Sequence, residues 1–338
     1  MRKHVLIAML AVSLGGIAST GSAAPDAGGL RLTQRIPGPD GGWDYVSFDA
    51  ARRRAYFSHG AAVLSLDVDS GKLNAAFAAG AHLHAIVPIP GADVIVTTNS
   101  GDNSVRIIKA SDGSLVKSIP VPADADGAAY DPATGLVAVV HGDPGVITLI
   151  DVGKQAVAGT IEVGGKLEFA AVGAHGRLYV NVASAGEVAV VDLVARKALA
   201  HYPMADCKRP TGIAYVEGDR IVSACGGLAK ILDAASGREI ASLKIGGFPD
   251  AVLYDPKRHL AMIPTALDGN LWVISLAGKD NDTVVQTVPT QVGARTGTVD
   301  PKTGRVYLPT AEYNLPAAPG QRPTTKPGTF QILVLDRR

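Results

Sequence analysis

Short apolar runs separated by turn residues recur along most of the chain. In the stretch from Asp126 to Asp151, segments rich in Val, Ile and Ala occupy 127–130, 136–140 and 146–150. The turn at 131–135 has proline at its second position and glycine at its last, as a tight turn requires. Within this stretch no apolar run has the length or the 3.6-residue period of a helix, so the pattern predicts β-strands.

The unit repeats with a nearly constant period. Asp-Pro turns recur at 255–259 and 300–304. The end of the third strand of each unit can be followed through seven positions: Asp67, Lys109, Asp151, Asp192, Asp233, Ser275 and Asp336. By subtraction, the successive steps are 42, 42, 41, 41, 42 and 61 residues. A period of roughly 40 with four strands per unit is typical of a β-propeller, so we expect an all-β chain with seven four-stranded antiparallel blades.

Two segments resemble a known repeat family. Residues 99–121 read NSGDNSVRIIKASDGSLVKSIPV, and residues 178–193 read LYVNVASAGEVAVVDL. Both resemble the YVTN-repeat β-propellers, the YncE-like group, whose architecture is WD40-like. The resemblance extends over nearly all of the chain after residue 23. It implies the seven-bladed fold but no particular substrate, because unrelated activities occur on this fold.

The two ends of the repeat array complement each other. The seventh unit ends two residues after Asp336 and therefore lacks a fourth strand of its own. Residues 29–36, which precede the first unit, resemble such a fourth strand. Because a closed ring leaves no exposed sheet edge, we expect the N-terminal strand to complete the last blade.

The N-terminal residues predict export. Residues 1–23 combine a basic start (Arg2, Lys3), an apolar run over 5–17, and Gly21 and Ala23 at the −3 and −1 positions of a cleavage site. This pattern is typical of a secretory signal peptide. We therefore expect cleavage near Ala23 and a periplasmic or secreted single domain over 24–338. No other stretch of the sequence has the length and apolarity of a membrane span.

Charge argues against a nucleic-acid partner. The chain has 32 basic and 31 acidic residues, and removal of the first 23 residues takes away two basic ones, which leaves a net charge of −1. Nucleic-acid-binding domains usually carry a basic surplus.

Candidate binding residues fall on one face of the expected ring. The loops after the second and fourth strands share this face, and they carry most of the sequence variation. Alignment of the blades on their first strands places one residue per blade at the mouth of the central channel: Asp44, His84, Asp126, Glu168, Thr211, Asp250 and Arg295. Aromatic and imidazole side chains flank them: Trp43, Tyr45, His82, Phe169 and Phe248. The ends of the second strands add His59, Asn99, His141 and Asn181.

This mixture of carboxylates and imidazoles suggests a metal site. Crowded carboxylates repel one another, and a bound cation relieves the repulsion. Carboxylate and imidazole ligands together suit Zn, Mn, Fe or Cu better than Mg. The candidate ligands for a divalent ion are Asp44, His59, His82, His84, Asp126, His141, Glu168, Asn181 and Asp250. The alternative is a hydrated polar channel mouth that binds no specific ligand.

The chain has two cysteines, Cys207 and Cys225. They flank the first two strands of the fifth unit, and neighbouring antiparallel strands place such ends side by side. In an oxidising compartment we expect them to form a disulfide. Two separate buried thiols are the alternative.

The seventh unit contains an insertion. From Asp300 to Asp336 is 36 residues, against 20 from Asp255 to Ser275, and the excess lies in the Pro-rich segment 313–328. The insertion is expected to be extended and to emerge on the ligand face. It is either a lid or docking loop, or an insertion without a role.

Three functional hypotheses remain open. The first is an exported, non-catalytic propeller that binds a small molecule or a protein at the channel-mouth face, most simply as a monomer. The second is a metal-dependent enzyme, similar to a lactonase or lyase, with a divalent ion at the mouth. The third is a subunit in periplasmic electron transfer, although no cofactor-binding residue in the sequence supports it. Motifs of serine hydrolases with a nucleophile elbow, zinc proteases, nucleotide triphosphatases and dinucleotide-binding folds are absent from the sequence.

Overall fold

The computed structural model describes residues 29–278, 281–314 and 323–338. The described residues form seven four-stranded antiparallel sheets arranged as the blades of a ring, together with one two-stranded ribbon. The predicted seven-bladed β-propeller is therefore confirmed. The predicted signal peptide lies outside the described residues.

The first four blades follow one another along the chain. Their strands are β2 (Trp43–Asp49), β3 (Arg54–His59), β4 (Ala62–Asp67) and β5 (Leu73–Ala79); β6 (Leu83–Pro88), β7 (Val94–Asn99), β8 (Ser104–Lys109) and β9 (Leu115–Pro120); β10 (Ala125–Asp131), β11 (Leu136–His141), β12 (Val146–Asp151) and β13 (Ala156–Glu162); β14 (Leu167–Val172), β15 (Arg177–Val182), β16 (Glu187–Asp192) and β17 (Lys197–Pro203). A 3-10 turn, Ala174–Gly176, lies between β14 and β15.

The last three blades include the ring closure. Their strands are β18 (Ile213–Val216), β19 (Arg220–Cys225), β20 (Leu228–Asp233) and β21 (Glu239–Lys244); β22 (Leu253–Asp255), β23 (Leu260–Thr265), β24 (Asn270–Ser275) and β25 (Thr283–Pro289); β26 (Thr298–Val299), β27 (Val306–Thr310), β30 (Gln331–Arg337) and β1 (Leu30–Pro37). The ribbon is formed by β28 (Tyr313–Asn314) and β29 (Thr324–Thr325).

The seven marker positions that define the repeat in the sequence lie at or next to the ends of the third strands. The third strands of blades 1 to 6 end at the six predicted positions, and the seventh marker, Asp336, is the penultimate residue of β30. The predicted strands over 127–130, 136–140 and 146–150 correspond to β10, β11 and β12, which are one to three residues longer. Their ends are longer because ladder pairing extends into the polar residues that flank each apolar run.

The apolar core lies between neighbouring blades. Blade 3 contributes Val140 and Leu149 to a cluster completed by Leu167, Leu178 and Val191 of blade 4, all of which are buried. Period-2 alternation in each strand sends residues to both faces of a sheet, and both faces are covered by adjacent blades. Each blade is therefore stabilised by its two neighbours, and the seam between the first and last blades must be closed as well.

The ring closes through the N-terminal strand. β1 pairs antiparallel with β30, from Leu30 opposite Arg337 to Pro37 opposite Gln331. Next to this seam, the guanidinium of Arg53 in blade 1 donates to both carboxylate oxygens of Asp300 in blade 7, each at 2.7 Å. The predicted closure is consistent with this sheet.

Cys207 and Cys225 form a disulfide, with their Cα atoms 5.5 Å apart. The bond joins the segment before β18 to the end of β19, as the sequence predicted. A disulfide is typical of compartments outside the cytoplasm. Among the described residues, no helix has the length and apolarity needed to cross a membrane.

Removal of residues 29–36 tests the closure. Deletion would leave β30 as an unpaired apolar edge, and we expect aggregation or a large fall in the thermal midpoint. The control is Gln34→Ala, which removes an exposed side chain from β1 and leaves the strand in place. An unchanged melting curve for the deletion protein would contradict the closure.

Removal of the disulfide tests its contribution to stability. The two cysteines are 18 residues apart, and a loop of this size is expected to stabilise the fold by about 3 kcal/mol through chain entropy. We expect the Cys207→Ala, Cys225→Ala double variant to lose stability of that order in denaturant unfolding. Recovery of two alkylated thiols from the non-reduced native protein would show that the bond does not form.

Candidate functional site

The channel mouth is positioned by a repeated irregularity in the innermost strands. In each of the first four blades, the ladder between the first two strands contains one extra residue, just after the first pair. The residues inside these β-bulges include Asp44, His84, Asp126 and Glu168. A bulge re-aims side chains relative to a regular strand. The same local deformation thus delivers one ionisable side chain from each of four successive blades.

Three of these side chains are close together. The Nδ1 atom of His84 lies 2.7 Å from an oxygen of Asp44 and 3.2 Å from an oxygen of Asp126. Among the described residues, Asp44, His84 and Asp126 offer donor atoms that all lie within 4.8 Å of one another, as a metal site would require. Each side chain is about one-fifth exposed, so the cluster is partly shielded and still reachable from solvent.

The other nitrogen of His84 contacts a serine. His84 Nε2 lies 2.9 Å from Ser100 Oγ, and His82 Nδ1 lies 2.6 Å from the same oxygen. The two imidazole rings meet edge to face with their centroids 4.7 Å apart. Blade 2 therefore adds two imidazoles and a hydroxyl to the carboxylates of blades 1 and 3.

Asp250 has a cationic partner. Arg295 Nε donates to Asp250 at 2.8 Å, and Arg295 Nη2 donates to the backbone oxygen of Trp43 at 2.9 Å. The guanidinium also lies over the Trp43 ring, 5.7 Å from its centroid. Arg295 is thus held by Asp250 and Trp43, whereas Asp44 and Asp126 both lie against His84.

Two aromatic rings cross the channel next to the acidic residues. Tyr45 of blade 1 and Phe169 of blade 4 stack with their centroids 3.8 Å apart. These blades lie on nearly opposite sides of the ring, so the stacked pair divides the channel. On one side lies a cavity of about 340 Å³ whose lining includes Val46, Leu253 and Val299.

The carboxyl groups have unusually high proton affinity. Burial and the nearby charge of Asp44 raise the pKa of Asp126 to about 8. Burial and the charge of Asp250 raise the pKa of Glu168 to about 7. Burial raises the pKa of Asp250 to about 6, although Arg295 opposes the shift. Two of the three carboxyl groups therefore hold protons in the neutral range.

The same environment also shifts the pKa values of His84 and Tyr45. Burial lowers the pKa of His84, but its hydrogen bond with Asp44 and the charge of Asp126 outweigh this effect, and the net shift is upward. The pKa of Tyr45 lies well above its usual value because the ring is buried and because it lies among carboxylates. The Tyr45 hydroxyl is buried and has no hydrogen-bond partner among the described residues.

Several sequence candidates have structural roles instead. His141 is fully buried and hydrogen-bonds to the Ala123 carbonyl and the Thr148 hydroxyl. His59 is buried against the Phe330 ring. Of the four histidines predicted on this face, His82 and His84 contact each other in the described part of the chain. The other two are occupied by packing and backbone bonds.

Asn181 and Thr211 bridge blades. Asn181 Nδ2 donates to the Thr211 and Gly212 carbonyls, and the Thr211 hydroxyl donates to the Pro249 carbonyl at 2.6 Å. The Asn99 amide likewise accepts from the Ala81 backbone N–H. These polar groups satisfy the backbone at the inner rim. They hold the mouth in shape.

The remaining flanking residues frame the mouth. Trp43 is buried against Phe330 and Tyr313, whereas Phe248 is 57% exposed in a left-handed backbone conformation. The Pro-rich insertion forms the ribbon of β28 and β29 at its base. Its central residues, 315–322, lie outside the described residues, so the expected lid or docking loop is not described there.

Sequence reasoning missed Ser100. The residue that follows the second strand of each blade is Gly or Ala in six blades: Gly60, Gly142, Ala183, Gly226, Ala266 and Ala311. Ser100 is the exception at this position. Comparison of the blades one residue beyond the strand ends would have found it.

Comparison with known proteins supports the fold. No family model matches the chain, and no curated protein matches it. Several solved structures match the chain in fold. The RRP9 WD40 repeats are similar at a TM-score of 0.74 and 11% identity, with 92% of this chain and 99% of that chain covered. Virginiamycin B lyase from Staphylococcus aureus is similar at a TM-score of 0.72 and 13% identity, with 92% and 100% covered.

Hydrazine synthase of Kuenenia stuttgartiensis is similar at a TM-score of 0.70 and 15% identity, with 87% of this chain and 96% of that chain covered. The chain shares their β-propeller fold. At these identities the likeness extends to architecture and carries no activity from one protein to the other.

Proposed function

We propose that this chain is an exported binding propeller of the YVTN-repeat type that takes up a cationic ligand, a divalent metal ion, at the channel mouth. The observation that carries the proposal is the approach of Asp44, His84 and Asp126 to within 4.8 Å. The repeat resemblance and the disulfide support the family and the compartment. β-Propellers commonly serve as binding scaffolds, and function usually lies on the loop face of a rigid scaffold.

The donor atoms fit a transition metal ion. Zinc holds imidazole nitrogen and carboxylate oxygen at about 2.0–2.2 Å. Ligand atoms around such an ion are separated by distances similar to those between His84 Nδ1 and the two aspartates, 2.7 and 3.2 Å. Small side-chain movements would therefore admit the ion. The imidazole and two carboxylates suit Zn or Mn better than Mg.

The electrostatics of the mouth favour a cation. The pKa values of Asp126 and Glu168 are raised by burial first and by neighbouring carboxylates second, so each group is costly to ionise at the mouth. A divalent ion would replace the bound protons and relieve this repulsion. Arg295 hydrogen-bonds to Asp250 and Trp43, and a cation bound by Asp44, His84 and Asp126 would add positive charge next to the crowded carboxyl groups.

A second candidate is a metal-dependent enzyme of the lactonase or lyase type. It is favoured by the pKa of about 7 at Glu168, because a general acid or base works best when its pKa lies near the operating pH. Turnover of a lactone that depends on added metal ion would separate this candidate from simple binding.

Metal titration of the stripped protein tests the proposal. We expect Zn²⁺ or Mn²⁺ to raise the thermal midpoint, with a stabilisation of about 2.7 kcal/mol when the free ion is at 100 times its Kd. Because the ion must displace the proton from Asp126, affinity should rise as the pH increases to about 8.

Asp126→Asn should abolish the stabilisation. The matched control is Asp143→Asn. This variant removes an exposed carboxylate from the loop that follows β11, and that carboxylate pairs with Lys166 instead of His84. Absence of stabilisation by either ion, or equal loss in both variants, would contradict a metal site at the mouth.

A further inference from the structure

Ser100 occupies the position of an activated nucleophile. Its hydroxyl oxygen lies 2.9 Å from His84 Nε2, and the opposite nitrogen of that ring lies 2.7 Å from Asp44. A hydroxyl bonded to an imidazole that is oriented by a carboxylate is the arrangement that activates a serine for attack on carbonyl carbon. The arrangement is recognised by this geometry, whatever the fold or order of residues in the chain.

The backbone holds the serine in place. The Ser100 N–H donates to the His82 carbonyl at 3.2 Å, and the Gly101 N–H donates to the Ala81 carbonyl at 3.0 Å. The Asn99 side chain accepts from the Ala81 N–H at 3.0 Å. Three hydrogen bonds thus tie the loop after β7 to the segment before β6, so that the hydroxyl and the imidazole keep a fixed relation.

Asp44 fixes the proton on His84. When His84 is neutral with its proton on Nδ1, the Asp44 carboxylate accepts that N–H and the Nε2 lone pair is directed at the Ser100 hydroxyl. The Asp44 backbone is itself anchored, since its N–H donates to Ser58 Oγ at 3.1 Å and its carbonyl accepts from Thr296 Oγ1 at 2.6 Å.

We propose that Ser100, His84 and Asp44 form a serine nucleophile system that transfers the acyl group of a small carboxylic ester. Ser100 Oγ forms a bond to the ester carbonyl carbon while its proton passes to His84 Nε2. The ester C–O bond then breaks, and the leaving alcohol takes that proton. Water attacks the acyl-serine with His84 as base, and the carboxylic acid and free Ser100 are released. No oxidant, reductant or further co-reactant is needed.

The surroundings restrict the ester. His82 Nδ1, 2.6 Å from Ser100 Oγ, places a second imidazole where it can donate a hydrogen bond to the reacting oxygen atoms. A negatively charged ester would add to the unfavourable electrostatics that already keep protons on Asp126 and Glu168. The system should therefore accept small neutral or cationic esters and exclude esters that carry a carboxylate.

This activity belongs to the metal-free protein, because Asp44 and His84 take part in both proposals. A metal ion on His84 Nδ1 would place the ring proton on Nε2, and the imidazole could not then accept the serine proton. Labelling of Ser100 is therefore measured on metal-stripped protein, whereas the metal site is judged by thermal stabilisation. Either proposal can fail while the other stands.

The test is covalent labelling of the folded, metal-stripped chain with a fluorophosphonate probe, followed by mass spectrometry of the labelled peptide. We expect one adduct, on Ser100, and loss of that adduct in Ser100→Ala. His84→Gln should lower the labelling rate at least about 100-fold, the usual contribution of a general base. The alanine variant should fold normally, because three sister blades carry alanine at this position.

The matched control is Ser184→Ala. Ser184 is an exposed serine on the same face that accepts from the Lys166 N–H and has no imidazole partner among its described contacts. Its removal should leave labelling unchanged. Two variants test the positioning role of Asp44. Asp44→Asn should lower the labelling rate by much more than any change in the thermal midpoint would explain. Asp44→Glu should recover part of the labelling rate.

The rate of p-nitrophenyl acetate hydrolysis should fall in the same variants that lower the labelling rate. An ester that carries a carboxylate should react more slowly than p-nitrophenyl acetate. Absence of an adduct on the folded wild-type protein, equal labelling of Ser100→Ala, or equal labelling of Ser184 would overturn the proposal.

Discussion

Seven inner strands converge on one axis, and the polar groups at their ends must share the space around it. In four successive blades the same bulge delivers an ionisable side chain to this space. Ring closure by β1 and β30 holds the blades at fixed positions, so the carboxyl groups cannot move apart to reduce their repulsion. The crowded mouth is thus a consequence of the closed ring, and its chemistry follows from that crowding.

The repulsion is relieved in three different ways. Asp250 is neutralised by Arg295, Asp44 is hydrogen-bonded to His84, and Asp126 and Glu168 retain protons. A carboxyl group whose pKa is raised on folding stabilises the fold below its unfolded pKa of about 4, and this contribution is lost as the pH rises through the folded value. For Asp126 that loss extends to about pH 8. A cation bound at the mouth would remove this cost.

Local patterns in the sequence predicted the blades because strand length, turn chemistry and a constant period are local properties. The same alignment placed Asp44, His84, Asp126 and Glu168 together. It could not separate His84 from His141, because both end up near the rim and only tertiary contacts show that His141 is bonded to Ala123 and Thr148. Ser100 was missed for the converse reason, since the role proposed for it depends on contact with the imidazole of His84 in the neighbouring strand β6.

The central claim is that the closed ring buries Asp126 and Glu168 next to other carboxylates, so that both keep their protons near neutral pH. Carboxyl carbon NMR titration of metal-free protein, with Asp126→Asn and Glu168→Gln used to assign the signals, measures this directly. The account predicts midpoints near 8 for Asp126 and near 7 for Glu168. Midpoints near 4 for both residues, the ordinary value for carboxyl groups in water, would contradict it.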